Sequence, residues 1–167
     1  MSAFIKILLT TTLLTTSVNT TLAQERSDSA AGKPILIHSQ QLVVVVPESR
    51  DQLMAYSMTT NTWSKIPISV KADQRILPTV SSTMAACQLG QSIYAYSSVA
   101  GKWAELKLPE DRKARFEVGT DRVNVVTKTD SINQFFVFGI NNGAWSGVDL
   151  KTGKLLDVNE QKRDPAN

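Results

Sequence analysis

The segment QSIYAYSSVAGKW, from Gln91 to Trp103, places an aromatic residue, Tyr96, seven positions before a tryptophan. Before Tyr96, β-branched and aromatic residues stand close together in the pattern typical of a β-strand with two apolar faces. The intervening residues include Gly101, which accepts the positive φ that tight hairpin turns require. The segment therefore predicts two antiparallel strands joined by a short turn.

The same spacing occurs three times, because the chain has three tryptophans and each follows an aromatic residue by seven positions. Small residues stand one position after the tryptophans, and apolar residues stand three and five positions after them. Self-similarity at a fixed period is typical of repeat folds. We expect the six aromatic positions to be packing residues between units rather than a ligand platform. These residues are Tyr56, Trp63, Tyr96, Trp103, Phe138 and Trp145.

Further strand-like runs precede each hairpin, and no stretch of useful length has helical periodicity. These runs are PILIH, LVVVV, TMAAC, ARFEV and VNVV. The sequence thus predicts an all-β fold of three repeated antiparallel β-meander units. The units span about residues 34–70, 75–110 and 114–150, and an extra hairpin extends the β-repeat domain to 158. The arrangement is expected to be propeller-like, as half of a propeller, with a β-sandwich or barrel as the alternative.

The recurring aromatic residue, short loop and tryptophan over about residues 34–150 resemble the blades of kelch-type and related β-propeller proteins. This resemblance implies that each unit is one blade. Closed propellers have about four to eight blades, and three blades would leave two large apolar sheet faces in water. We expect either that two chains close into a six-bladed ring or that the units pack into another compact β-fold.

The two ends of the chain differ from this repeat region. Residues 1–23 have an early cation, an apolar middle and small residues at the end, which predicts a secretory signal peptide. Their apolar run is shorter than the roughly 20 residues of a transmembrane helix, and we expect no span in the mature chain. Residues 24–33 are predicted to be a flexible leader and 159–167 a polar tail. The protein is therefore expected to be exported, either secreted or periplasmic.

Composition argues against several classes of site. The formal net charge is only +3, the charges are interspersed, and we expect no nucleic-acid partner. Cys87 is the only cysteine, which precludes an internal disulfide, and its apolar surroundings predict a buried small side chain. His38 is the only histidine, so a zinc site built from several Cys and His ligands is excluded.

No catalytic or cofactor-binding constellation is evident, and we assign no catalytic, cofactor or metal residue. The acidic residues lie in turns and linkers, where Asp is common for conformational reasons. The linkers SVKADQRILPT (69–79) and PEDRKA (109–114) are the candidate binding loops, since loops often carry function.

The sequence favours a non-catalytic exported β-repeat protein that acts as a binding or scaffold module, with a protein partner or a homodimer. One alternative is an enzyme whose site is assembled at a subunit interface. Another is an accessory subunit that completes the propeller of a different protein.

Overall fold

The computed structural model describes residues 33–71, 74–128 and 133–158, and in these ranges the chain forms three antiparallel β-sheets. The predicted signal peptide and polar tail lie outside the described residues. Within them, no helix has the length and apolar character needed to cross a bilayer. The predicted all-β meander is confirmed.

Each sheet follows chain order. Sheet one contains β1 (Ile35–His38), β2 (Leu42–Val46), β3 (Gln52–Ser57) and β4 (Thr62–Pro67). Sheet two contains β5 (Thr79–Val80), β6 (Met84–Leu89), β7 (Ser92–Ser97) and β8 (Lys102–Lys107). Sheet three contains β9 (Lys113–Val118), β10 (Arg122–Lys128), β11 (Asn133–Gly139), β12 (Trp145–Asp149) and β13 (Leu155–Leu156). None of the three sheets closes into a barrel over the described ranges.

The turns between the third and fourth strands use the residues that the sequence singles out. Asn61, Gly101 and Gly143 have φ values of 55°, 65° and 55°, in the left-handed region that glycine and asparagine tolerate. At Gly143 an added Cβ would lie 2.9 Å from the Ala100 Cβ, in the hairpin of sheet two. Gly143 thus serves both its own turn and the close approach of two units.

Each hairpin places its two aromatic side chains directly opposite one another. Tyr96 pairs with Trp103 across β7 and β8, and their ring centroids lie 5.1 Å apart. The equivalent pairs in sheets one and three have centroids 5.3 Å apart. Because strand side chains alternate between faces, each sheet has a face that carries this pair, here called its pair face, and an opposite back face.

The sheets stack with the back face of one against the pair face of the next, and two hydrophobic cores result. The first core contains Leu42, Val44, Leu53 and Ala55 from the back of sheet one and Ala85, Cys87, Tyr94, Tyr96 and Trp103 from the pair face of sheet two. The second contains Met84, Ala86, Ile93, Ala95 and Leu106 from the back of sheet two and Val123, Val125, Phe136, Phe138 and Trp145 from sheet three. Sheet two is therefore buried on both faces, which explains why β7 is apolar at consecutive positions.

Repeat-equivalent serines at the ends of the third strands link the sheets. The Ser57 hydroxyl donates to the carbonyl of Ser98 in sheet two at 2.6 Å, and it accepts a hydrogen bond from its own turn. One repeat later, the Ser97 hydroxyl donates to the carbonyl of Ile140 beyond β11. Both serines are fully buried, so these bonds satisfy hydroxyls that would otherwise be costly to bury.

A second pair of serines, just before the second strands, repeats the arrangement. The Ser39 hydroxyl donates to the carbonyl of Ser82 at 3.1 Å, and the Ser81 hydroxyl donates to that of Gly119 at 2.7 Å. Each bond contributes only about 1 kcal/mol, but all four have directional geometry that apolar contact lacks. They fix how each sheet is placed on its neighbour.

Adjacent phenylalanines on β11 test this packing. Phe136 lies in the second core with no exposed surface, whereas Phe135 lies on the partly exposed back face of sheet three. We expect Phe136→Ala to lower the free energy of unfolding by about 3–5 kcal/mol, because it leaves a cavity between two sheets. Phe135→Ala, the matched control, should cost less than half as much in denaturant titrations. Equal losses would contradict the assignment of the two faces.

Candidate functional site

The most distinctive surface is the pair face of sheet one, which no other sheet covers within the described residues. Its apolar side chains come from all four strands, and the registers place them on one side: Leu36, Val43, Val45, Met54, Tyr56 and Trp63. We call this set the first pair face. Five of the six correspond to positions that are covered in sheets two and three.

Exposure separates the three equivalent tryptophans. Trp103 and Trp145 are each 9% exposed, because each packs against the back face of the preceding sheet. Trp63 is 56% exposed, since no sheet among the described residues covers it. Within the described residues, Trp103 and Trp145 therefore lie between two sheets, whereas Trp63 does not.

The aromatic pair on this surface is already in the geometry of the covered pairs. The ring planes of Tyr56 and Trp63 meet at 50°, compared with 46° and 52° for the pairs in the cores. The Tyr56 hydroxyl donates to the Asn61 side-chain oxygen, which ties the ring to the turn. The pair thus forms a preorganised apolar platform of the residue types enriched at binding hot spots.

The charge on this surface is slight and of one sign. Lys65 and His38 are exposed on the same side, opposite Met54 and Val43 in the strand registers. Strands β1 to β4 contain no Asp or Glu. The surface is therefore an apolar platform with a basic margin.

Over the described ranges, the back of sheet three is also left uncovered by another sheet, and its chemistry differs. Its apolar part includes Val126, which is 44% exposed, with Phe135, Val137 and Val148 partly buried. Its remaining positions on β9 and β10 are polar or charged: Lys113, Arg115, Glu117, Arg122, Asn124 and Lys128. More than half of the positions on this face thus carry polar or charged side chains.

Cys87 and His38 are the only cysteine and the only histidine of the sequence, and they lie on different sheets. Cys87 lies in the first core with no exposed surface, and burial raises the pKa of its thiol to about 12. A buried, protonated thiol is a poor nucleophile and metal ligand. His38 is exposed at the end of β1. The described residues contain no group of three His, Cys, Asp or Glu side chains placed to hold a metal ion.

The acidic residues serve local structure. Asp51 accepts a hydrogen bond from the Ser49 hydroxyl at 2.6 Å, and Asp121 pairs with Arg122 at 3.2 Å. Asp149 accepts hydrogen bonds from Thr152 in the turn before β13, and these hold the pKa of its carboxyl below the usual value. Asp73 and Asp130 lie outside the described residues.

Glu105 accepts hydrogen bonds from two side chains on the neighbouring strand β7. The donors are the Ser92 hydroxyl at 2.7 Å and the Tyr94 hydroxyl at 3.2 Å. Burial, and secondarily the Glu105 charge, raises the pKa of Tyr94. Ser92, Tyr94 and Glu105 form a compact polar cluster at the margin of the first core. Hydrogen bonds within the cluster satisfy these three side chains.

The two candidate binding loops, 69–79 and 109–114, also make contacts within the protein. In linker 69–79, Ile76 is 3% exposed and belongs to the first core, whereas Leu77 is 68% exposed. In linker 109–114, the Arg112 guanidinium donates to the Gln134 side chain of sheet three. Both linkers therefore carry structural contacts. The candidate surface that the sequence did not indicate is a sheet face, and the local pattern around Trp63, which matches that around Trp103, gives no signal for it.

A shallow pocket of about 290 Å³ lies near the C-terminal end of sheet three. Trp145 and residues 155–158 contribute to its lining. Asp157 is the only titratable residue among its lining positions, so the pocket holds no pair of groups for acid–base work.

No protein-family model matches the chain, and no curated protein gives a significant match. The exposed Trp63, together with the apolar side chains beside it, has the character of surfaces that take part in binding.

The burial of Cys87 gives a direct chemical test. We expect the folded protein to resist alkylation by iodoacetamide at pH 8, because the thiolate is both inaccessible and scarce well below pH 12. The same protein unfolded in guanidinium chloride should react to completion, and this is the control. Mass spectrometry of both samples provides the readout. Rapid labelling of the native protein would contradict the assignment of Cys87 to the first core.

Proposed function

We propose that the protein is a non-catalytic β-repeat module that binds another protein through the first pair face. The observation that supports this most strongly is the 56% exposure of Trp63, in an aromatic pair whose two counterparts are covered. Contiguous exposed apolar surfaces on soluble proteins mark interaction sites. Tyr, Trp and Met, all present here, are the residue types enriched at protein interfaces.

The shape of the surface favours a protein as the occupant. Small molecules bind in concave sites that bury most of the ligand, whereas this surface is the face of a four-stranded sheet. The two equivalent faces in sheets two and three are each covered by a polypeptide surface, namely the back of another sheet. The complement of the first pair face is therefore another apolar protein surface of similar size.

The propeller-like interpretation agrees with this role. If each sheet is a blade, the chain presents a partial ring whose first blade lacks a neighbour, and a partner would supply it. Export remains a prediction from residues 1–23, and it implies that the partner is also exported. The binding loops expected from the sequence take a secondary place, because Ile76 and Arg112 in those linkers make structural contacts.

Site-specific photo-crosslinking in the cells that produce the protein tests this proposal. A benzoylphenylalanine at position 63 or 36 should form covalent adducts with protein, because both positions lie on the proposed docking surface. The matched control is position 77, where Leu77 is 68% exposed but lies in a linker away from this surface. Denaturing gels and mass spectrometry identify the adducts.

Adducts at 63 and 36 without adducts at 77 would support the docking role. The proposal is wrong if positions 63 and 36 give no protein adduct, or if position 77 gives the same adducts in the same yield.

A further inference from the structure

We propose that the partner is a second copy of this chain, and that the two copies place their first pair faces together around a twofold axis. This inference rests on the proposed docking function of that face. The occupant is identified from the two joints inside the chain and from the chemistry of the one other uncovered sheet face in the described structure.

Both internal joints place a pair face against a back face, so the back of sheet three is the first surface to consider as the complement. The covered back faces begin β2 with Leu42 and β6 with Met84, which are fully buried. The equivalent residue at the start of β10 is Arg122, which is exposed. A pair face placed here would have to cover a guanidinium instead of an aliphatic side chain, which carries a desolvation cost.

The first strands of sheets one and three also differ in that apolar back-face residues are replaced by charged ones. In sheet one, β1 contributes Ile35 and Ile37 to the back-face side of the first core. In sheet three, β9 places Lys113, Arg115 and Glu117 on its back face, and all three are exposed. Strand β9 therefore carries water-compatible side chains at the positions where β1 carries packing residues.

The hydroxyl donors that link one sheet to the next are also missing from sheet three. Ser57 and Ser97 are followed one repeat later by Gly139, which has no side chain to donate.

The same replacement occurs before the second strands, where Ser39 and Ser81 are followed by Gly119. Four serine hydroxyl bonds span the two internal joints, and neither type can be repeated from the back of sheet three. Terminal units of repeat proteins carry a polar outer face because it keeps the array soluble. Sheet three has the features of such a terminal unit.

Charge gives an independent argument against pairing the two different ends. The back of sheet three carries four cations and one acid. The first pair face carries Lys65 and no acid. Pairing the two different ends would place a net charge of +3 against Lys65, whereas pairing two first pair faces places one Lys65 against another, so the repulsion between the surfaces is smaller in the second arrangement.

The first pair face can instead meet a copy of itself. A twofold interface uses the same patch on both subunits, and it is the commonest symmetry among soluble oligomers. Such pairing closes at two chains, whereas a head-to-tail contact produces a ring or an open filament. A second copy is also present wherever the chain is made, so the exposed aromatic pair need not await a different protein.

The size of the surface sets the expected strength. Four strands about 4.8 Å apart and about five residues long give a face of roughly 19 by 17 Å, or about 320 Å² in projection. Two such faces give about 640 Å² in projection, and although side-chain relief increases the accessible area, the interface is small beside the roughly 1,200 Å² at the lower end of stable interfaces. The dimer is therefore expected to dissociate on dilution in the micromolar range.

Sedimentation velocity of the chain from Gln24 onward, at about 100 µM, provides the test. A dimer with a dissociation constant of about 10 µM would still predominate at that concentration. The expected species has twice the chain mass. Leu36→Lys should raise the dissociation constant at least about 100-fold, because it buries two unpaired ammonium groups. Val126→Lys, an equal change on the back of sheet three, should leave it within about twofold.

Each other outcome would overturn the inference. A wild-type monomer at this concentration excludes the second copy as the partner. A dimer or larger ring that Val126→Lys disrupts as strongly as Leu36→Lys indicates pairing of the two different ends. Circular dichroism of each variant verifies folding, and Trp63→Lys provides a second substitution on the same face if Leu36→Lys does not fold.

The two proposals fail separately. A monomer whose position 63 crosslinks to a different protein would remove the second copy and leave the docking role of the first pair face intact. A monomer without any adduct at position 63 would remove both.

Discussion

Coverage of the aromatic pair on each hairpin is the constraint on which the rest of the structure depends. A tyrosine or phenylalanine and a tryptophan face each other across the third and fourth strands, and they present an apolar surface too large to leave in water. The back of the preceding sheet covers that surface twice, and each covering creates one of the two cores. The stack is therefore a consequence of the hairpins.

This constraint gives the chain a direction. The pair face of each sheet is covered by the back of the sheet before it, and among the described residues sheet one has no such neighbour. Trp63 on sheet one is therefore exposed. At the other end, Arg122 and the charged side of β9 make the back of sheet three compatible with water. The two ends of the described stack therefore differ in chemistry, since one is apolar and the other is largely polar or charged. The proposed function rests on this difference between ends more than on any single residue.

Local pattern in the sequence was sufficient for the hairpins and the fold class. The spacing of seven between Tyr96 and Trp103 is set by two strand ends and a turn, and Gly101 marks that turn by its backbone requirement. The burial of Cys87 also followed from its apolar surroundings. These features depend on neighbours within about ten residues, which the sequence displays directly.

The exposure of Trp63 and the polar character of the back of sheet three could be recognised only in the folded structure. Trp63 has the same local surroundings as Trp103, and only its place in the stack distinguishes them. The equivalence of Leu42, Met84 and Arg122 is hidden because the second strands lie 21, 19 and 23 residues before their tryptophans. The second and third strands and the loops between them differ in length from sheet to sheet, and only strand pairing restores the alignment.

Fluorine NMR of the protein with fluorotryptophan at its three tryptophans tests the central claim most directly, with each signal assigned by Trp→Phe substitution. The account predicts that the Trp63 resonance shifts on dilution through the micromolar range, because it is covered only by a second chain. The Trp103 and Trp145 resonances should stay fixed, because sheets of the same chain cover them. A Trp63 resonance that is independent of concentration, or dilution shifts at the other two, would contradict the account.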